Sequence, residues 1–495
     1  MNTFKQLISH GSIYGKLMLL IGALMAVPLV VLPFYPQEAE YVLSFALPAV
    51  ISVVLGLAVC LIRKHKGSIH EWQSSLQKGS LPVLFAWCYG IITGAIPFVI
   101  SGHLNFLHAL FESVNGWTTN GMSLVDVTQT SHILLFHRSL MQYCGGLGFI
   151  LMILMLIGGK QANNLFNAEG HADRLLPNIR RTGRMIFLIY NGFLAVGTIL
   201  YTLFGIPLFD AVCHTMSALS TAGFSTQAGS IGAYGSVPAE IVTVILMLIG
   251  STNFAVLLLL TKFKFKKLFR VSEVRFSLVI IAIFTVLIAL SLIFGVGMSV
   301  GDGLHQSLFG VVTATTTTGY AITDYMSWPP FAIGLLMLLM FIGGSIGSTA
   351  GGIKLLRVYF LFKIAHANIK SRVSSSRKVT TLNYHRAQGK TPIDSTMVAD
   401  TLCFVFCYMV IYVVGTLLIT LFESCSLFDA MFEFASVFST TGLSGGLTNA
   451  STQTGTLIVE MIGMLLGRLE IFIVFIGIQV GVSKLFKRLR IHKRV

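Results

Sequence analysis

The sequence predicts an all-α polytopic membrane protein in which four repeats of span, short helix and span follow two extra N-terminal transmembrane helices. Composition, the distribution of charge and an internally repeated motif support this fold class. Hydrophobic residues make up 54% of the 495 residues and charged residues only 11%, with a mean hydropathy of +0.81. Because a soluble domain carries about 25% charged residues, this composition is typical of a membrane protein.

Charge is segregated along the chain. The formal net charge of +15 would suggest nucleic-acid binding in a soluble protein, but the basic residues fall into a few hydrophilic stretches. Those stretches are Lys5 and Lys16, and residues 63–78, 160–184, 262–275, 363–390 and 484–494. The segments 36–44, 101–131, 207–237, 299–330 and 422–454 contain acidic residues and neither lysine nor arginine. Cytoplasmic loops of membrane proteins are enriched in basic residues. The protein is therefore predicted to lie in the cytoplasmic (inner) membrane with both termini in the cytoplasm. Nucleic acid is not an expected partner.

Apolar runs of spanning length indicate ten transmembrane segments. They lie near 17–35, 42–62, 80–100, 132–159, 185–206, 237–261, 276–298, 331–362, 397–421 and 456–482. Shorter apolar segments at 104–117, 207–220, 303–316 and 427–439 cannot cross a bilayer of about 30 Å, so each is expected to enter it and return. The expected boundaries are 1–75 for two N-terminal helices, 76–165, 166–265, 266–370 and 396–495 for four repeats, and 371–395 for a cytoplasmic linker.

The four short segments can be aligned on the glycine that closes each of them. The closing glycines are Gly121, Gly223, Gly319 and Gly442, and a threonine precedes each by two positions: Thr119, Thr221, Thr317 and Thr440. A hydroxyl residue stands one place earlier, at Thr118, Ser220, Thr316 and Ser439. Small residues that only permit close helix packing could explain one such copy, but four copies in equivalent positions favour a repeated functional element.

A hydroxyl-rich stretch that ends in glycine suits a ring of backbone carbonyl groups replacing the hydration shell of an ion. Glycine permits a positive φ, and non-helical backbone at membrane depth is stable when it lines a water-filled path. Four such stretches from one chain would close one ring in a pseudo-fourfold pore. The sequence therefore predicts a pathway for a monovalent cation.

The motifs STAGF (220–224), TTTGY (316–320) and STTGL (439–443) resemble the selectivity filters of the Trk/Ktr/HKT superfamily of potassium transporters. The two extra N-terminal spans, RSLMQYCGGLG (138–148), GGSIGSTAGGIK (343–354) and GRLE (467–470) are similar to the TrkH-type branch. The resemblance covers about residues 80–485 and implies K⁺ as the transported ion, with Na⁺ or Rb⁺ as further candidates. The predicted ion ligands are Thr118, Thr119, Asn120, Thr221, Ala222, Gly223, Thr317, Thr318, Gly319, Thr440, Thr441 and Gly442.

The first repeat departs from the family pattern because Asn120 stands where a small residue is usual. Gly121 is retained, so we expect the carbonyl geometry to be preserved there. In the HKT relatives a serine at the first closing glycine accompanies Na⁺ transport, and Gly121 therefore favours K⁺.

The segment GGSIGSTAGG lies inside a run of 32 residues, 331–362, which exceeds the roughly 20 residues that a span requires. The resemblance implies a mobile intramembrane loop below the filter that acts as a gate; the alternative is a glycine zipper between helices. The predicted gating residues are Gly343, Gly344, Gly347, Gly351, Gly352 and Arg468. Arg468 is predicted near the middle of a span, where a charge is a functional candidate. Arg138 is expected to anchor the outer end of its span or to pair with an acidic group, and Lys354 and Arg357 to extend towards the cytoplasmic surface.

Two other function classes fit the sequence less well. An alternating-access Na⁺- or H⁺-coupled symporter would need inverted halves, whereas the four short segments all point the same way. An enzyme would need clustered catalytic groups, and neither these nor a nucleotide-binding motif occurs, so no cofactor is expected. The resemblance also implies a homodimer and a cytosolic nucleotide-binding regulatory subunit similar to TrkA on the basic loops. Anionic lipids are the alternative partner of those loops.

Overall fold

The computed structural model describes residues 12–62, 75–148, 179–373 and 382–492. Within them six helices are long and apolar enough to cross a membrane: Ile13–Val31, Pro36–Leu61, Gly79–Ile100, Arg181–Leu203, Ser272–Val296 and Ser395–Phe422. The interrupted pair Thr454–Arg468 and Ile471–Ser483 raises this number to seven when it is taken as one span. The end of the predicted span 132–159, part of the linker and both termini lie outside the described residues.

The chain begins with α1 (Ile13–Ala26), a 3₁₀ helix at Val27–Val31, a second at Pro36–Tyr41 and α2 (Val42–Ile62). Glycines allow α1 and α2 to approach closely, because a β-carbon on Gly15 would lie 2.6 Å from the carbonyl oxygen of Gly56. A β-carbon on Gly22 would likewise lie 3.0 Å from the carbonyl oxygen of Ala49. Small residues at helix contacts are typical of membrane proteins, where packing replaces the hydrophobic effect.

The remaining helices follow the predicted order of long helix, short helix and second span. Their bounds are α3 Ser75–Ile100, α4 Phe106–Thr118, α5 His132–Leu147, α6 Ile179–Leu203, α7 Leu208–Leu219, α8 Val237–Gly250, α9 Phe254–Thr261, α10 Phe265–Leu268, α11 Ser272–Val296, α12 Val300–Thr315, α13 Pro330–Ile342, α14 Leu355–Val373, α15 Ser395–Phe422, α16 Leu427–Ser439, α17 Thr454–Arg468 and α18 Ile471–His492. Two further 3₁₀ helices lie at Ser230–Tyr234 and Tyr325–Ser327. The short helices α4, α7, α12 and α16 are the four predicted re-entrant segments, and none of them is long enough to span.

The second spans differ from the sequence prediction because they are interrupted. The predicted run 237–261 is divided into α8 and α9, and the run 456–482 into α17 and α18. Residues 343–354 between α13 and α14 are non-helical, which confirms the predicted break in that segment. Hydropathy could not show the other interruptions, because a buried break retains the apolar composition of a span.

The described chain separates into two compact units. One comprises Met1–Trp117, Leu124–Leu188 and Leu469–Val495, and the other Thr118–Ser123 and Ile189–Arg468. The second unit therefore contains all four hydroxyl-rich segments with their closing glycines, together with the loop 343–354.

The predicted cytoplasmic linker contains an unpredicted antiparallel hairpin, β1 (Asn383–Arg386) and β2 (Gly389–Pro392). Tyr384 in β1 is buried against Leu356 and Phe360 of α14, and the Ser272 hydroxyl accepts a hydrogen bond from the His385 N–H at 3.0 Å. The hairpin thus packs on α14 and on the start of α11.

Candidate functional site

The last turn of each pore helix α7, α12 and α16 ends in the same hydrogen-bond pattern. The amide of Ala222 donates to the carbonyl of Ser217 at 3.0 Å, and the amide of Thr221 donates to Ala218 at 3.1 Å. The same two bonds recur at Thr318–Thr313 and Thr317–Ala314, and at Thr441–Ser436 and Thr440–Val437. This pair of bonds is the Schellman motif, in which the residue after the C-cap has a left-handed backbone conformation.

In all four repeats that left-handed residue is a threonine. The φ angles are 58° at Thr119, 51° at Thr221, 53° at Thr317 and 56° at Thr440. A β-branched residue is an outlier in this region, and such strain costs about 1–3 kcal/mol per residue unless the surrounding structure holds it. The position is usually glycine, so the threonine hydroxyl must serve a purpose that glycine cannot.

The four segments that begin at these threonines contact one another in a closed cycle. A β-carbon on Gly121 would lie 2.8 Å from the carbonyl oxygen of Ala222, and one on Gly223 would lie 2.2 Å from that of Thr318. A β-carbon on Gly319 would lie 2.0 Å from the carbonyl oxygen of Thr441, and one on Gly442 would lie 2.1 Å from the amide nitrogen of Gly121. Segments from the first to the fourth repeat thus follow in order and meet again, with backbone in contact with backbone.

The first quarter of this ring differs from the others. Gly223, Gly319 and Gly442 have φ angles of 85°, 84° and 87°, whereas the φ of Gly121 lies outside the left-handed region. Gly121 therefore does not use the positive φ that glycine permits and that the other three closing glycines adopt. The Asn120 side-chain oxygen accepts a hydrogen bond from the Met122 amide at 3.4 Å, so this side chain folds back on its own segment.

In three of the four repeats a buried side chain whose role sequence reasoning overlooked contacts the segment beyond the closing glycine. Nine residues before it stand Glu112, His214 and Glu433, all fully buried. Glu112 accepts from the Leu124 amide at 3.3 Å, and the His214 ring lies 2.9 Å from the Ser225 hydroxyl. Glu433 accepts from Ser444 Oγ at 2.7 Å and from the amides of Gly445 and Thr448 at 2.9 and 3.1 Å. The repeat alignment, extended to this position, is the signal that could have found them.

Glycines at the breaks in the second spans contact the carbonyl at the end of the pore helix. A β-carbon on Gly145 would lie 2.1 Å from the Trp117 oxygen, one on Gly250 2.4 Å from the Leu219 oxygen and one on Gly467 1.9 Å from the Phe438 oxygen. Any side chain there would collide with backbone. These glycines therefore allow the second spans to approach the ends of the pore helices closely.

The non-helical loop Gly343–Lys354 packs directly on three of the four filter segments. Thr349 Oγ1 lies 3.1 Å from the Leu219 carbonyl oxygen and 2.9 Å from the Gly250 carbonyl oxygen, so that its hydroxyl donates to these carbonyls. It also lies 3.1 Å from Thr221 Oγ1. The Gly351 amide donates to Thr317 Oγ1 at 2.8 Å, and a β-carbon on Gly351 would lie 2.1 Å from the Ser439 oxygen. The hydroxyls of Thr221 and Thr317 thus contact this loop. A glycine zipper is excluded, because Gly343, Gly347 and Gly351 do not lie on a helix.

The rest of the loop is bound to the interruption in the second repeat. The Ser345 amide donates to the Ser251 carbonyl at 3.0 Å, and Asn253 Nδ2 donates to the Ile346 carbonyl at 2.5 Å. Glu273 Oε1 accepts from the Ile346 amide at 3.2 Å. Thr349 was missed by sequence reasoning, although STAG at 348–351 repeats the filter motif STAG at 220–223.

Cationic side chains occupy the positions singled out in the sequence. Arg468 ends α17 and donates to the carbonyl oxygen of Thr349, so the structure places it against the loop. Lys354 was expected to reach the surface, but it is only 9% exposed and donates to the carbonyl of Ala350, because its φ of 83° turns it back into the loop. Arg357 lies 3.9 Å over the ring of Phe404. Arg138 confirms its predicted role, since its Nε lies 2.6 Å from Glu112 Oε1 and both side chains are buried.

Comparison with known proteins finds relatives along nearly the whole chain. The family model described as TrkH, cation transport protein, matches residues 50–482. The chain is 31% identical over 480 residues to the Trk system potassium uptake protein TrkG of Escherichia coli K12, covering 93% of this chain and 96% of that protein. It is 28% identical to the TrkH protein of the same strain, with 93% and 96% covered. The crystal structure of the potassium transporter TrkH from Vibrio parahaemolyticus superposes with a TM-score of 0.81 at 26% identity, covering 96% of this chain and 98% of that one.

Proposed function

The chain belongs to the TrkH family of cation transport proteins, and from this premise we propose that it takes up K⁺ through a filter formed by its four glycine-closed segments. The single observation that carries the proposal is the closed cycle of backbone contacts through Gly121, Gly223, Gly319 and Gly442. Four equivalent segments that meet edge to edge can direct carbonyl groups at one ion. Carbonyl oxygens replace the hydration shell of K⁺ in such filters.

The ligands in this proposal are backbone carbonyls of the predicted filter residues. The left-handed threonines turn the chain sharply at the end of each pore helix, and the hydroxyls of Thr221 and Thr317 contact the loop or the backbone. Thr221 Oγ1, for example, donates to the Ser220 carbonyl at 2.7 Å. Backbone carbonyls are present at equivalent positions in all four segments, and we therefore propose that they bind the ion. The repeat boundaries 76–165, 166–265, 266–370 and 396–495 are part of the same proposal.

The loop Gly343–Lys354 is proposed as the gate, with Gly343, Gly344, Gly347, Gly351, Gly352 and Arg468 as gating residues. The contacts of Thr349 and Gly351 with filter residues support an obstruction immediately next to the filter. A cavity of about 200 Å³ lies beside the loop, lined by Ser251, Thr252, Thr316, Gly344 and Ser345. This cavity provides space into which the loop can move when the pathway opens.

An alternating-access Na⁺- or H⁺-coupled symporter is the second candidate. It would require two halves that exchange positions around one site. The cyclic order of the four filter segments favours a fixed filter instead, because moving one half would break two of the four backbone contacts.

For partners and location, the proposal follows the charge distribution. The chain is placed in the cytoplasmic membrane with both termini in the cytoplasm, in accordance with the excess of basic residues in one set of loops. A cytosolic nucleotide-binding regulatory subunit similar to TrkA, anionic lipids and a second copy of the chain in a homodimer are the proposed partners. Release of the gate by the regulatory subunit would connect nucleotide levels to K⁺ uptake.

Growth of a K⁺-uptake-deficient cell at limiting K⁺ tests the function. Cells that express the chain should grow, and cells that express the Gly319→Ser variant at equal level should not. Growth failure of the unaltered chain, expressed in the membrane together with a regulatory subunit, would overturn the proposal.

A further inference from the structure

Two buried carboxylates lie beside the fourth filter segment. Glu433 on α16 and Glu460 on α17 are both 0% exposed, and Thr448 joins them. The Thr448 amide donates to Glu433 Oε1 at 3.1 Å, while the Thr448 hydroxyl donates to Glu460 Oε1 at 2.8 Å. Burying an isolated ionised carboxylate is strongly unfavourable, so two neighbouring ones require a compensating positive charge.

The first repeat shows how that charge is supplied elsewhere in the chain. Glu112 corresponds to Glu433, since each stands nine residues before its closing glycine. Arg138 corresponds to Glu460, since each stands seven residues before the glycine that contacts the pore-helix carbonyl, Gly145 or Gly467. The first repeat therefore places a glutamate against an arginine, whereas the fourth places a glutamate against a glutamate. In the second repeat Thr243, seven residues before Gly250, occupies the position of Arg138 and carries no charge.

The hydrogen bonds of the two glutamates are unequal. Glu433 accepts three bonds, from Ser444 Oγ and from the amides of Gly445 and Thr448, which suits an ionised carboxylate. Glu460 accepts one bond at Oε1, and its buried Oε2 has no hydrogen-bond partner. Neither glutamate forms an ion pair with a lysine, arginine or histidine of the part of the chain that the structure describes. The other charged group acting on Glu460 is Glu423 at the end of α15, which is also negative.

We propose that Glu433 and Glu460 form a proton-binding site, in which Glu460 carries the proton at neutral pH and Glu433 remains ionised. A proton requires no further ligands, whereas a bound Na⁺ would need several oxygens in a space that already lacks solvent. Release of the proton to water leaves two carboxylates in contact with Thr448. Their repulsion would displace the segment Leu443–Thr448, which directly follows the fourth closing glycine, and so alter the filter in response to pH.

Infrared spectroscopy of the full-length protein tests the site without any measurement of K⁺ flux, so its failure is distinct from failure of the proposed function. At neutral pH the wild type should show the C=O stretching band of a protonated carboxylic acid, and Glu460→Gln should lack it. Glutamine has the size of the neutral acid and no charge, so the variant mimics the protonated state. Asp302→Asn, which removes an exposed carboxylate on α12, is the matched control and should retain the band. A band of equal intensity in wild type and Glu460→Gln would overturn the proposal.

Stability and selectivity provide the second measurement. A carboxyl that is protonated in the folded protein and ionised in the unfolded chain makes stability fall as pH rises. The melting temperature of the wild type should therefore fall towards alkaline pH more steeply than that of Glu460→Gln, and its preference for K⁺ over Na⁺ should fall in parallel. Glu460→Arg, which restores the pairing of the first repeat, should also remove the pH dependence. Equal slopes in wild type and Glu460→Gln, or stabilisation of the wild type alone by Na⁺, would overturn the proton site.

Discussion

At the residue scale, the filter depends on strained backbone at residues whose type does not suggest it. Among the described residues, four of the eight non-glycine residues with positive φ are Thr119, Thr221, Thr317 and Thr440. A glycine there would relieve the strain, but it would remove the hydroxyls that contact Thr349 and Gly351. At Thr221 and Thr317 the threonine side chain therefore contacts the loop, although the backbone conformation is strained.

The closing glycines should differ in their tolerance of a side chain. Gly319→Ser adds a β-carbon at a φ of 84° and 2.0 Å from the Thr441 oxygen, so the neighbouring carbonyl must move. Gly121→Ser has no left-handed strain, and the closest atom is 2.8 Å away. We expect Gly319→Ser to lower the preference for K⁺ over Na⁺ at least about tenfold, equivalent to about 1.4 kcal/mol, and Gly121→Ser to lower it less. Rb⁺ uptake in competition with Na⁺ measures both. Equal effects would contradict the difference in backbone conformation.

Arg468 should restrain the loop through its hydrogen bond to Thr349. Arg468→Ala removes both the charge and the donor, so K⁺ flux should rise and depend less on a regulatory partner. Arg468→Lys keeps a positive charge that can donate to a single carbonyl and should remain near the wild-type flux. Flux assays in proteoliposomes, normalised to protein content, decide between these results. An unchanged flux in Arg468→Ala would remove Arg468 from the gate.

At the element scale, interrupted second spans allow polar backbone to exist at membrane depth. Backbone groups of the loop 343–354 form hydrogen bonds with Ser251 and Asn253, which lie in the interruption between α8 and α9. Non-helical backbone inside a membrane is stable only when it is buried in protein or lines a cavity. The interruption in the second repeat therefore stabilises the non-helical loop of the third repeat.

The loop should be released by removing one hydroxyl. Thr349→Val keeps the side-chain shape but loses the one hydroxyl proton that the Leu219 and Gly250 carbonyls share, worth about 1 kcal/mol. K⁺ flux should rise several-fold, and deletion within Gly344–Ala350 should raise it further. Ser348→Ala, which loses only a bond to Ser345 inside the loop, is the control and should leave flux unchanged. A deletion variant that reaches the membrane in normal amounts yet conducts no K⁺ would show that the loop is a scaffold.

At the scale of the whole molecule, all four proposed filter segments lie in one of the two compact units. Thr118–Ser123 belongs to the unit that contains the other three filter segments, although α4 before it, up to Trp117, belongs to the other unit. The ring is thus held together by contacts between repeats rather than by each repeat alone. The buried pair of Arg138 and Glu112 lies wholly within the first unit and contributes to the stability of the protein there.

Loss of this ion pair should destabilise the protein. Arg138→Met leaves Glu112 buried without its counter-charge, which should lower the free energy of unfolding by about 3–5 kcal/mol. The double variant Arg138→Met with Glu112→Gln removes the unpaired charge and should recover part of the loss. Melting temperatures in detergent measure both variants. A single variant as stable as the wild type would show that Glu112 has another source of compensation.

The sequence by itself determined the membrane class, the four repeats, the short pore helices and the closing glycines. Those properties depend on local sequence patterns, namely hydropathy over about 20 residues and a motif that recurs along the chain. It also predicted the break at 343–354 and the pairing of Arg138 with an acidic group. Family membership was predictable for the same reason, since filter motifs are short and contiguous.

Only the tertiary structure decided which groups meet across the chain. Local patterns do not show the cyclic order of the filter segments or the left-handed conformation of the threonines. They also do not show the contacts of Gly250 and Gly467 with pore-helix carbonyls, or that Glu433 lies close to Glu460. Threonine propensity argues against a positive φ, so no local rule could have predicted it. Packing and hydrogen bonds between repeats override that propensity, because they act only after the chain has folded.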